Sequence, residues 1–194
     1  MPDTEAATVI WITEGTWQAS VDAALRFVQP GAPITLLHVI PAELSDAAHG
    51  AYLGLFGRAR PDRDPGPQVA KLAADSAAEL LDAAADRLGR SAGRIERTGI
   101  PEREVVSAVA DAALLIVSRD GDRSRLGPKS LGKATRFVVD HAPCPVLVVW
   151  PEPAPAVATI PPPPPPGAHP PKPPKPPKPP KPPKHHKPHG SPGL

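Results

Sequence analysis

TGIPEREVVSAVADAALLIV, residues 98–117, changes its apolar period halfway along. Gly99-Ile100-Pro101 reads as a turn whose proline opens a helix, because a fixed φ suits the first helical position and the missing N–H is not needed there. Glu102 and Glu104 follow in the first turn, where the helix dipole favours acids. Val105, Val106 and Val109 supply a stripe at helical spacing. Leu114-Leu115-Ile116-Val117 then drops that spacing and is apolar at every position. A strand covered on both faces belongs inside a parallel sheet.

The same alternation extends in both directions. Thr8 to Thr13 (TVIWIT) is β-branched and aromatic, and it stops at Glu14-Gly15, a tight turn. Val21, Ala24, Leu25 and Val28 form one helical stripe, terminated by Pro30-Gly31. Ile34 to Ile40 (ITLLHVI) is the next strand, ended by Pro41. Val69, Ala73, Ala77, Leu80, Ala84 and Leu88 place a long helix up to Gly89, and Arg94 to Thr98 a short strand after it. Leu131, Ala134 and Val138 face one way on a last helix, for which Ser130 is the expected N-cap. Val146 to Val149 closes the series. Five strands alternating with four helices call for an α/β sandwich of three layers, a parallel sheet with helices on both faces. In such sheets ligands sit beyond the carboxyl ends of the strands. Three segments converge there: Thr13 to Thr16, the stretch from Pro41 to Pro67, and the basic loop after Val117.

Composition divides the chain near Pro151. Residues 151–194 hold 21 of the 32 prolines and six lysines against one acid, Glu152. The net charge of +2 therefore splits into +5 there and −3 before it. Residues 1–150 suffice for one domain with one shared core. Residues 151–194 read as a disordered tail, since PPKPPK repeats exclude helix and central strand and leave polyproline II. At three residues per turn and about 3.1 Å per residue, its lysines line one face at roughly 9 Å intervals. Such a comb suits an acidic protein, nucleic acid or an anionic surface; a solubilising spacer is the plainer reading. His185, His186 and His189 offer imidazoles to a transition metal, but no metal site is assigned. No run approaches a membrane span, MPDTEAAT does not read as a secretory leader, and the expected location is cytoplasmic.

The basic loop carries Arg119, Arg123, Arg125, Lys129, Lys133 and Arg136, net +4 after Asp120 and Asp122, with Gly121, Gly127 and Gly132 among them. Phosphate binding and a solvated connection both fit that pattern. Glu14 reads first as a turn residue, His38 as a satisfied core histidine and His141 as a cation in a last helical turn. Cys144, between two prolines, reads as a small buried hydrophobe. Tyr52, Leu53, Leu55 and Phe56 form either a lid or, the favoured reading, a hydrophobic cluster under a loop. No catalytic residue is assigned, because no general-base pair, Ser-His-Asp arrangement or HxGH signature is present. The apolar strand Val146 to Val149 would present an edge open to a twin, hence an expected homodimer.

ITEGTWQASVDAAL (residues 12–25), ITLLHVI (34–40), TGIPEREVVSAVADAALLIV (98–117) and above all HAPCPVLVV (141–149) resemble successive segments of the universal stress protein family. The resemblance implies a flavodoxin-like, Rossmann-like sheet of order 3-2-1-4-5 and frequent dimers. Family members that bind ATP carry G-x2-G-x9-G-[ST] between the fourth strand and the last helix. An ungapped match puts Arg119 and Asp122 at the first two glycines, Gly132 at the third and Lys133 at the Ser/Thr position. A slip of one residue brings Ser118 and Gly121 to the first two instead. The resemblance further sets Glu14 where the family has aspartate, with Thr13 and Gly15 beside it, and Val39 on the adenine side. Two functions follow as expectations. The first is a non-enzymatic regulator or adaptor of the stress response; the second is an ATP-binding sensor in which arginine and lysine replace the missing glycines. No cofactor is required by the first, and ATP by the second.

Overall fold

A computed structural model describes residues 6–43, 65–160 and 162. The strands are β1 (Thr8–Trp11), β2 (Ile34–Pro41), β3 (Gly93–Gly99), β4 (Leu114–Ser118) and β5 (Val146–Val149). They form one sheet in the order β3-β2-β1-β4-β5, every neighbouring pair parallel. Thr8 is opposite Ile34 on one side and Leu114 on the other. The helices are α1 (Trp17–Phe27), α2 (Gly66–Leu88), α3 (Pro101–Ala108) and α4 (Lys133–His141).

Side chains of β1 alternate between two cores, as a two-residue period requires. Ile10 and Ile12 meet Val21 and Ala24 of α1 and Leu81, Ala84 and Leu88 of α2. Val9 and Trp11 meet Val105 of α3 and Val138 of α4 on the opposite face. Ile10, Leu36, Leu115 and Ile116 are wholly buried, each contributing about 1.5–3 kcal/mol of transfer free energy. β1 ends two residues earlier than its apolar run. Ile12 N–H still reaches Leu37 O at 2.8 Å, but the chain then turns through Gly15 at φ 72°.

Three local expectations change. Val21 and Ala24 of the α1 stripe are fully buried as expected, but Leu25 is 50% exposed, because the buried face takes in Ser20 and Ala23 on its other side. On α2 Leu81 and Leu88 are the buried leucines, with Leu80 at the margin of the core. Ser130 does not cap α4. Gly132 is the N-cap residue, and Ser130 is buried in the short 3-10 turn Pro128–Ser130, its hydroxyl donating to Gly127 O at 2.6 Å. Gly89 closes α2 in the left-handed region at φ 64°, where glycine carries no Cβ penalty.

Residues after β5 return to the body. Arg123 pairs with Glu152 at 3.5 Å, and Leu126 N–H donates to Thr159 Oγ1 at 3.0 Å. The first compact unit runs to Pro161. Of the proline-lysine segment, residues 163–194 lie outside the described residues, as do Tyr52, Leu53, Leu55 and Phe56.

Candidate functional site

The carboxyl ends of β1 and β2 open into a cleft of about 360 Å³, lined among others by Trp11, Thr13, Glu14, His38, Val39 and Ser76. Its size falls in the range of small-molecule sites. The β1 turn is built by Thr13, whose carbonyl accepts from the N–H groups of Thr16 and Trp17 at 3.3 and 3.1 Å while its hydroxyl meets Thr16 Oγ1 at 2.7 Å. Glu14 is exposed at the mouth. α2 supplies the opposite wall through Ala73, Ser76 and Ala77, and Pro101 enters from the start of α3.

His38 is half-buried, and its Nδ1 lies 2.8 Å from Ile12 O. A carbonyl only accepts, so Nδ1 carries the proton, and in the neutral tautomer this leaves Nε2 as an acceptor. The cleft thus combines an apolar floor, one imidazole acceptor and one carboxylate.

The loop after β4 is built differently. Arg119 N–H extends the ladder to Val149 O at 2.9 Å. Its guanidinium stacks over Trp150, 4.7 Å from the ring centre, and donates to Ser130 Oγ. Gly121 N–H donates to Ser130 O at 3.0 Å and Asp122 N–H to Lys129 O at 2.8 Å. A Cβ on Gly121 would stand 2.3 Å from Lys129 O, so only glycine admits this closed turn. Gly132 N–H, at the start of α4, donates to Asp120 Oδ1 at 2.7 Å.

Most of the loop's cations are engaged locally: Arg123 with Glu152, Arg125 with Asp122 at 3.5 Å, Arg136 with Pro128 O. Hydrogen bonds from Ser124 hold the Asp122 carboxyl below its ordinary pKa, helped by Arg125 and Lys129. Lys129 and Lys133 are exposed. Gly127, at φ 138°, borders a separate hollow of about 170 Å³ with Arg125, Leu126, Pro128 and Lys129. Partial burial raises the Cys144 thiol, so little thiolate is available for reaction.

Of the residues singled out in the sequence, Thr13, Glu14 and Val39 come together in the cleft, with Gly15 in the adjoining turn. Arg119, Gly121 and Gly132 lie in the closed loop, Lys133 begins α4, and Gly127 belongs to the separate hollow. Sequence reasoning did not assign Trp11, His38 or Ser76 to the cleft, nor Asp120 and Trp150 to the loop. For His38 the signal is its position on β2 beside Val39; for Asp120 it is one of only two acids, with Asp122, among the basic residues of the loop. Neither signal distinguishes a site from a surface without the turn geometry.

The two regions are joined through the turn after β1 and the first turn of α1. Ser118 Oγ donates to Thr16 O at 3.0 Å and meets Ser20 Oγ at 2.7 Å, both buried contacts that fasten the end of β4 to the start of α1. Among the described residues no cluster of three or more His, Cys, Asp or Glu side chains could hold a metal ion, and no helix is long and apolar enough to cross a membrane.

Among solved structures, the chain is similar to the hypothetical protein MJ0577, at 19% identity over 75% of this chain and 96% of that one, with a TM-score of 0.56. It is also similar to the universal stress protein UspA of Lactobacillus plantarum, at 21% identity, 75% and 97% coverage, and a TM-score of 0.50. At these identities the likeness speaks to the fold alone. No curated protein sequence matches. The model of the universal stress protein family matches residues 16–149, from the turn after β1 to the last residue of β5. The chain therefore belongs to the universal stress protein family.

Proposed function

We infer that this protein is a non-enzymatic, cytoplasmic regulator or adaptor of the stress response, acting as a homodimer joined along β5, with the lysine-bearing tail as its contact to an acidic partner. One observation carries this reading: the loop that would cradle phosphates directs its own N–H groups at Gly121, Asp122 and Gly132 into the protein. Backbone donors already bonded are not available to a nucleotide. β5 supports the dimer, since it is the sheet edge beyond β4 and its four residues are only half-buried.

A second reading is favoured by the open cleft beside β2, where Thr13, Glu14 and Val39 meet. It makes the chain a sensor that binds ATP or a related small molecule without needing the glycine motif.

Titration calorimetry of the full chain tests both, with ATP and Mg²⁺ in one series and polyglutamate in the other. The adaptor reading expects no heat from micromolar ATP and a polyglutamate signal that fades as salt rises. Micromolar ATP binding overturns it in favour of the sensor, and a salt-insensitive or absent polyglutamate signal removes the tail's role.

A further inference from the structure

Between residues 119 and 136 the loop carries a net +4, yet the anion seated at the start of α4 is the chain's own. Asp120 Oδ1 accepts from Gly132 N–H at 2.7 Å. A Cβ at residue 132 would stand 2.7 and 2.8 Å from the two carboxylate oxygens, so the glycine makes the space that the carboxylate fills. The neighbouring donors are also committed, Gly121 N–H to Ser130 O and Asp122 N–H to Lys129 O.

We propose that Asp120 is the resident anion of α4, that it closes the β4 end of the site to phosphate chains, and that the cleft beside β2 consequently takes an uncharged ligand of nucleoside size. The ligand half deepens the second reading above and rests on it. A helix N-terminus stabilises one nearby anion; a second one meets the carboxylate's repulsion instead of the dipole's attraction. An incoming phosphate could displace Asp120 only by competing with a group tethered one strand-end away, whose effective concentration is in the millimolar range or above, on the order of 10⁻³ M. Glu14 adds a second negative charge at the mouth of the cleft. The acceptor left on His38 Nε2 matches an N–H donor of a neutral heterocycle.

The test uses the full chain and its Asp120→Ala and Asp120→Asn variants, titrated calorimetrically with inorganic tripolyphosphate, ATP and adenosine. The tail is common to all three chains, so differences between them report the loop. Both variants should gain about tenfold or more in affinity for tripolyphosphate and ATP, while adenosine stays within about twofold of wild type. Tripolyphosphate and ATP binding wild type as tightly as the variants, or binding none of the three, overturns the role of Asp120. Adenosine silence on every chain, with the phosphate gain present, overturns the cleft reading and the ligand half alone. Should the alanine variant fail to fold, the near-isosteric asparagine decides, because it keeps an acceptor for Gly132 N–H and removes the charge.

Discussion

The two sides of β1 at the sheet's carboxyl edge are finished in opposite ways. Beside β2 the chain leaves a cleft of about 360 Å³ with an apolar floor; beyond β4 it closes on itself, with Gly121, Asp122 and Gly132 all donating internally. The fastenings differ in kind as well. The β4 side is tied by buried hydroxyls, Ser118 to Thr16 O and Ser20, whereas the polar tie of α2, the far wall of the cleft, to α1 is the exposed bidentate Arg87–Asp22 pair at 2.7 and 2.8 Å, laid over their shared apolar core. Buried hydrogen bonds resist removal because the abandoned partner stays dry; exposed ion pairs lose little, since water replaces the partner. The contrast sets a closed, internally bonded loop on one side of β1 and room for a ligand on the other.

The largest way to break the contrast is Gly121→Val. Its Cβ would need to occupy space 2.3 Å from Lys129 O and 2.8–2.9 Å from the backbone of Leu131 and Ser130, so the loop must open. A loss of about 3 kcal/mol is expected, read from the urea midpoint at constant m-value. A loss under about 1 kcal/mol would show that the loop is not closed as described. Ser118→Ala comes next. It strips Thr16 O and Ser20 Oγ of a buried partner, for an expected loss of about 1–2 kcal/mol measured in the same way.

Asp22→Asn is the smallest. The hydrogen bond from Arg87 holds the Asp22 carboxyl below its ordinary value, so the group binds protons less readily folded than unfolded. The stability it adds is present above the unfolded value of 3.8 and disappears as pH falls below it. The variant should therefore lose a little at pH 7, less in high salt, and approach wild type as pH falls through the lowered folded value. An undiminished gap at low pH would mean that the carboxylate's charge is not what matters.

Reading the sequence alone recovers the architecture because the strands are short apolar runs that punctuation residues bound on each side. TVIW and LLIV fit strands covered on both faces, and VLVV a half-buried edge beside them. Helix faces are harder. The α1 stripe is met at Val21 and Ala24, but packing turned the buried face toward Ser20 and Ala23 and left Leu25 outside it. On α2, a step of three to Leu80 and a step of four to Leu81 fit the period equally well, and only the sheet distinguishes them. Ser130 has the composition of a cap and the geometry of none, since its hydroxyl is claimed by Gly127 O and Arg119.

The candidate site was legible only where it follows the strand ends. Thr13, Glu14 and Val39 fall in the cleft because strand termini fix them. Asp120 is another matter, since its contact with Gly132 joins positions 12 apart through a turn whose shape depends on Gly121. In sequence it registers only as a subtraction from the loop's charge.

The return of residues after β5 bears on mechanics. Thr159 holds Leu126 N–H at 3.0 Å and Glu152 meets Arg123 at 3.5 Å, one contact near each end of that stretch. A pull applied beyond Ile160 therefore loads the Thr159 bond before it reaches β5, and tension on the proline-lysine segment arrives first at the loop that precedes α4. The tether and the anion-bearing loop share one strain path.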